Sequence, residues 1–299
     1  MKKITFLSSF FIKIFALIFM TFDHIGLFLQ MEYPFRTDIL ELSNVFRTLG
    51  RFALPLFAFM IVEGVLHTKN FKKYMYRLLA MTIFISIFFI VLEYSNSFTE
   101  FRSIQRAGNI FLDLSLLAVA IYTIKHPNWK IKLITLLPLA LSILSFIVKG
   151  IETSSQIEIH WYPAFLTLQY DWLTIVLGLG FYVSYLLADL YIKMLEPTYG
   201  LDKEMWINNG NYRLLVNIFS LVVATVIHIF YYLFTFIWPS GVFWDASTQL
   251  YAIFSSAFIL LYSGKRGYNA KWFQYGSYIY YPLHIIVIGL IIIITNGGL

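Results

Sequence analysis

The feature that most constrains this chain is a recurrence of apolar runs, each close to the about twenty residues that an α-helix needs to cross the hydrocarbon core of a bilayer. Nine are legible: Phe10 to Leu29, Gly50 to Leu66, Tyr74 to Leu92, Asn109 to Ile124, Leu133 to Val148, Tyr170 to Tyr191, Leu214 to Trp238, Thr248 to Tyr262 and Tyr278 to Thr295. Backbone amides cannot stay unpaired in lipid, so spans of this kind close their hydrogen bonds internally as helices. The sequence therefore reads as all-α, a polytopic transmembrane helix bundle of about nine or ten spans, with residues 1–299 forming a single membrane domain. A tenth span would come from Ile151 to Gln169, where His160, Trp161, Tyr162 and Pro163 also suit an interfacial turn. Charged residues fill only 13% of the positions, about half the fraction of an ordinary soluble domain. Water is not the main solvent of this fold.

The distribution of charge orients the bundle. With the N-terminus cytoplasmic, fifteen of the 22 Lys and Arg fall in segments assigned to the inside, six fall outside, and Lys13 lies within the first run. That bias is the positive-inside rule. The net charge of +6 is spread in short clusters between spans rather than along one stripe, which argues for topology and against nucleic-acid binding. No cysteine is present, which excludes disulfides, thiol nucleophiles, thiolate zinc sites and iron–sulfur clusters. The first run lacks a small-x-small cleavage pattern and carries Asp23 and His24 near its end, so it reads as a retained helix.

An ionisable side chain at mid-membrane costs about 2.5–3.5 kcal/mol or more, so each one is a candidate for function. Asp23 and His24 lie about two-thirds of the way through the first run. Neighbouring residues on a helix point about 100° apart, so Asp23 does not orient His24, and each needs a partner from another helix. Arg51, at the outer start of the second run, has the charge and depth to pair with Asp23 and leave His24 free. Arg51, Pro55 and Phe59 are spaced to share one helix face, and Glu63 and His67 form a similar pair at the cytoplasmic end. Asn109 and Asp113 share a face at the start of the fourth run, and Asp171 opens the sixth. His228 is a lone mid-span histidine, read as structural. Tyr281 and His284 lie in the last run, with His284 about 10 Å in from the cytoplasmic side, so that His24 sits somewhat above the midplane and His284 somewhat below it. Six scattered histidines make no metal signature, and no HExxH, Gly-rich phosphate loop or paired-carboxylate pattern is present. The unaided reading is a membrane enzyme or transporter with intramembrane histidines.

The series ALIFMTFDHIG, LGRFALPLFAFMIVEG, HTKNFKKYMYRLL, GNIFLDLSLL, QYDWLTIVLGLGFY and YIYYPLHIIVI resembles the TraX family, named for the conjugative-transfer protein that N-acetylates pilin. The blocks run in family order from the first span to the last. One departure is Asp113, where the family commonly has Thr. The resemblance implies a bacterial inner-membrane acetyltransferase, similar in arrangement to multi-helix membrane acyltransferases. These move an acetyl group from cytoplasmic acetyl-CoA to an amine or hydroxyl at or across the membrane. It also implies that His24 is the catalytic histidine, and it leaves the acceptor as a protein amino terminus or a cell-surface glycan.

Acetyl transfer from a thioester needs a base for the acceptor proton and donors for the developing oxyanion. His24 suits the base, organised by Asp23 and Arg51. Asn109 or Tyr281 suits the oxyanion, and His284 suits thioester positioning or proton relay. Glu63, His67, Asp113 and Asp171 complete the expected substrate- and cofactor-binding set, with no metal. Lys69, Lys72, Lys73, Lys265, Arg266 and Lys271 could meet the phosphates of the donor on the inside. Direct attack and an acetyl-histidine intermediate fit equally well. Two competing classes use the same residues: a proton-coupled transporter or lipid flippase, and a scaffold subunit whose polar groups only join helices.

Overall fold

A computed structural model describes residues 4–94, 108–155, 159, 161–200, 202–237 and 246–295. His160, Arg102 and Arg106 lie outside the described residues. The helices, in chain order, are α1 (Ser9–Glu32), α2 (Thr37–Gly50), α3 (Ala53–His67), α4 (Phe71–Tyr94), α5 (Ile110–Lys125) and α6 (Trp129–Lys132). They continue as α7 (Leu136–Ser155), α8 (Trp172–Tyr199), α9 (Lys203–Asn208), α10 (Asn211–Ile237), α11 (Ala246–Leu250), α12 (Ser256–Leu260) and α13 (Lys271–Thr295). Each of the nine apolar runs is mainly helical where described, the second breaking at Arg51 and Phe52 and the eighth passing through a 3-10 stretch, and the fold is an all-α polytopic membrane bundle. Among the described residues six segments are long and apolar enough to span a bilayer: Ser9–Glu32, Thr37–His67, Trp129–Ser155, Trp172–Tyr199, Asn211–Ile237 and Lys271–Ile292. Between α7 and α8 the described residues form a short 3-10 turn, Ala164–Leu166.

The second apolar run differs from its expected form. The stretch expected as an outer loop is helix α2, and Arg51 lies in the break between α2 and α3 rather than on a helix face shared with Pro55. Pro55 supplies the reason. In a continuous helix its ring would strike the carbonyl of the residue four earlier, which is Arg51, whereas in the first turn of α3 its missing N–H costs nothing.

The chain divides into two compact units. The first comprises Met1–Phe57, Ser184–Ile229 and Asp245–Leu299. In it α1 and α2 form an antiparallel hairpin whose helices approach closely at glycines. A Cβ on Gly26 would come 2.8 Å from the Ser43 carbonyl oxygen, and one on Gly50 would come 2.3 Å from Asp23 Cβ. Ser43 Oγ donates to the Gly26 carbonyl at 2.7 Å across the same seam. Small residues admit this approach, and in a membrane close packing replaces hydrophobic burial as the force joining helices. Helix α13 runs in the same direction as α1, as contacts from Phe10–Phe273 through Thr21–Tyr280 to His24–His284 show. At the start of both helices, Leu7 bridges to Tyr262 and Ser9 N–H donates to the Lys265 carbonyl. Arg213 stacks over Tyr262 at 4.6 Å and donates to Asn217 Oδ1 and the Tyr185 hydroxyl. Thus the segments assigned to one side by their charges gather at one end of this unit.

The second unit comprises Ala58–Val183 and Phe230–Trp244. Thr82 on α4 meets Ser115 on α5 at 3.1 Å, and Phe59 packs edge-on to Phe181. At one end Phe71 stacks on Tyr122 at 3.8 Å, again joining two segments read as lying on the same side. At the other end a buried polar network ties the loop before α8 to α5 and α7. Tyr162 there donates to the Leu166 carbonyl, and burial pushes its phenol above the usual range.

Candidate functional site

Asp23 and His24 point to different neighbours, as consecutive helical residues must. Asp23 faces α2. Arg47 Nη1 donates to Asp23 Oδ2 at 2.9 Å, and Arg51 Nη2 pairs with Oδ1 at 3.1 Å. Two guanidiniums on one buried carboxylate make a charge-assisted clamp. Arg51 was the expected partner, and Arg47 joins it unannounced. The glycine contact at Gly50 sets the clamp, because any side chain there would lift α2 from α1.

His24 faces α13. Its Nδ1 lies 2.7 Å from His284 Nε2, and both residues are buried, at 8% and 5% exposure. The other ring nitrogen of His284, Nδ1, lies 2.8 Å from the Tyr280 carbonyl. A carbonyl only accepts, so with both rings neutral this contact fixes the tautomers along the chain. His284 donates from Nδ1 to Tyr280 and accepts at Nε2. His24 therefore donates from Nδ1, and its Nε2 carries the lone pair. Among the described residues no hydrogen-bond partner takes that nitrogen. Tyr280 stacks on His284 at 5.2 Å, and its hydroxyl meets Thr21 at 2.7 Å, tying α13 to α1 one turn earlier. Tyr281 stands edge-on to both rings, at 6.0 Å from His24 and 5.8 Å from His284. An oriented imidazole with one lone pair, enclosed by aromatic walls, is suited to take a proton or to attack an acyl group.

The expected difference in depth between His24 and His284 does not hold: the rings touch. Helix α13 begins at Lys271, seven residues before the apolar run that marked it, which places His284 about 20 Å along its helix. His24 lies about 22 Å along α1, at a matching level.

The remaining expected residues lie in the second unit. Asp113 is fully buried and accepts from the Gln169 and Tyr170 amides at 2.8 and 3.1 Å and from the Thr174 hydroxyl at 3.0 Å. Asn109 caps α5 by accepting from Phe111 N–H, and its amide group donates to the Thr82 carbonyl and Ser86 Oγ. Asp171 adopts a left-handed φ of 49° and binds Ser145 at 2.6 Å and Lys149 at 2.9 Å. These three order a loop and use their polar atoms in doing so. Glu63 is 4% exposed and its carbonyl lies 3.0 Å from His67 Nδ1, close to an open cleft lined by Thr68, Phe71, Tyr122, Lys125 and His126. Among the described residues no group of three or more His, Asp or Glu could hold a metal ion.

The geometry defines a polytopic membrane protein with a buried histidine pair and an adjacent Arg–Asp–Arg clamp. The family model described as TraX protein matches residues 8–195, and the chain belongs to that family. It is also 25% identical over 284 residues to a probable fimbrial assembly protein, FimC of serogroup H1, from Dichelobacter nodosus, with 93% of each chain covered. No solved structure matches the chain significantly.

Proposed function

We propose that this TraX-family protein is an acetyltransferase of the bacterial inner membrane, with its N-terminus cytoplasmic. It takes acetyl groups from cytoplasmic acetyl-CoA and delivers them to an amine or hydroxyl of a component assembled at the cell surface. The observation that carries the reading is the hydrogen-bonded file Tyr280 C=O, His284, His24, which leaves one imidazole nitrogen oriented and unpaired among the described residues. His24 Nε2 takes the proton of the acceptor N–H or O–H as that atom attacks the thioester carbonyl. The C–S bond then breaks and the CoA thiolate leaves, receiving the same proton. His284 is a positioning residue that holds His24 in the productive tautomer, in the role a carboxylate or carbonyl plays behind other catalytic histidines. The Asp23 clamp holds α1 against α2 and keeps a positive field beside the reacting carbonyl, where negative charge develops.

Fimbrial assembly in the similar Dichelobacter protein favours a pilin-like amino terminus as acceptor over a glycan. The test is equilibrium binding of acetyl-CoA to the purified protein in detergent. Saturable binding below about 1 mM, within the ordinary range of enzyme substrates, is expected. Its absence would overturn the reading, because neither a flippase nor a scaffold needs this ligand.

A further inference from the structure

Helix α10 carries a second polar face that the histidine pair does not use. Asn217, Ser220, Ala224 and His228 recur at spacings of three and four, so they share one face, and all are buried at 0–1% exposure. Asn217 fixes what this face meets: its amide donates to the carbonyls of Leu260 and Tyr262 at 3.1 and 2.7 Å. From this anchor the chain leads back to Ala246 and packs on α2. It pairs with Leu7 at the start of α1 and reaches Phe52 through Phe254 further along. Ser220 lies about one turn from Asn217 and Ser256 about one turn from Leu260, on the two sides of this anchor.

The anchored segment is a short apolar helix with a 3-10 middle. It is α11, a 3-10 stretch at Tyr251–Ser255, and α12. The α10 face and the segment anchored to it both carry buried polar atoms that have no hydrogen-bond partner among the described residues: Ser220 Oγ and His228 Nε2 on α10, and Gln249 Nε2, Ser255 Oγ and Ser256 Oγ on the segment. His228 Nδ1 donates to the Ala224 carbonyl at 2.7 Å, so its Nε2 is a pure acceptor. The seam thus offers an acceptor, an amide donor and three hydroxyls that serve as either. Leaving five such atoms unpaired would cost an amount comparable with the whole stability of a domain.

We propose that the seam between α10 and the 246–260 segment is an internal water site, a hydrated file that lets solvent and protons reach His228 from the Asn217 end. Water is the guest whose donors and acceptors match this mixed lining and whose size fits between closely packed helices.

The chain has no cysteine, so a single thiol placed in it is a clean vibrational probe. Ser220→Cys and Ser256→Cys are near-isosteric, and Ala118→Cys provides a control at an equally buried, apolar position. Each variant in liposomes is transferred to D2O, and the S–H stretching band is followed by infrared spectroscopy. A hydrated seam exchanges at least about a hundredfold faster at both seam positions than at Ala118. Seam thiols that keep their S–H band as long as the control would overturn the proposal. Because two seam positions are probed, misfolding of one variant still leaves a decisive comparison.

Discussion

Replacing Gly50 by Ala tests how the α1–α2 seam is built. The added Cβ would lie 2.3 Å from Asp23 Cβ and 2.6 Å from Asp23 Cα, whereas non-bonded carbons settle at about 3.5–4.0 Å. One of the clashing atoms is backbone, so no rotamer change relieves it, and the helices must part by about 1 Å or more. The Arg47–Asp23 hydrogen bond at 2.9 Å would then stretch beyond hydrogen-bonding range, and the Arg51–Asp23 ion pair at 3.1 Å would lengthen with it. Overpacking costs about 1–3 kcal/mol, and losing a charged hydrogen bond about 1.5–3 kcal/mol. Allowing for relaxation, the sum is about 2–5 kcal/mol, or a fall of roughly 5–15 °C in thermal midpoint. The assay is a melting curve in detergent beside Gly276→Ala, where nothing lies within 4 Å of the new methyl. The reasoning fails if Gly50→Ala melts with the wild type, or if both glycine variants fall together.

His284→Ala removes the acceptor for His24 Nδ1–H, and acetyl transfer should lose about 10²–10⁴ in kcat with KM nearly unchanged. His284→Gln, whose amide oxygen can accept that hydrogen, should recover part of the loss; equal defects in the two variants would count against a positioning role. Asp113→Ala strips three donors of their carboxylate and should cost about 3 kcal/mol or more. Amide hydrogen exchange at Gln169 and Tyr170 should rise sharply in that variant, and unchanged protection would refute the loop-holding role.

What the sequence discloses follows from what each signal depends on. Span position and sidedness depend on local composition, and Phe10 to Leu29 and Leu214 to Trp238 are helical where described. The Asp23–Arg51 pair was legible because two opposite charges stood at similar depth across one turn. Arg47 was missed because the mixed polar face of α2 reads as a loop, although its i,i+4 spacing from Arg51 and the pair of seam glycines, Gly26 and Gly50, were visible signals. The His24–His284 contact joins residues 260 apart and depends on how far α13 extends below its apolar run, through the polar stretch from Lys271 to Ser277. No local pattern carries that. Asn109, Asp113 and Asp171 have the residue types of a site, but their partners are backbone amides, side chains and the Thr82 carbonyl of α4, which a sequence does not place.

The most direct test of His24 as the centre of acetyl transfer is turnover of acetyl-CoA labelled on its acetyl group, with purified wild-type protein and His24→Ala side by side. Free CoA release and label transferred to an acceptor, or retained on the protein, are followed together. The account predicts release or labelling in the wild type and loss of at least about 10² in rate for His24→Ala. Wild-type turnover that survives the substitution unchanged, or a folded wild type that never consumes acetyl-CoA, would contradict it.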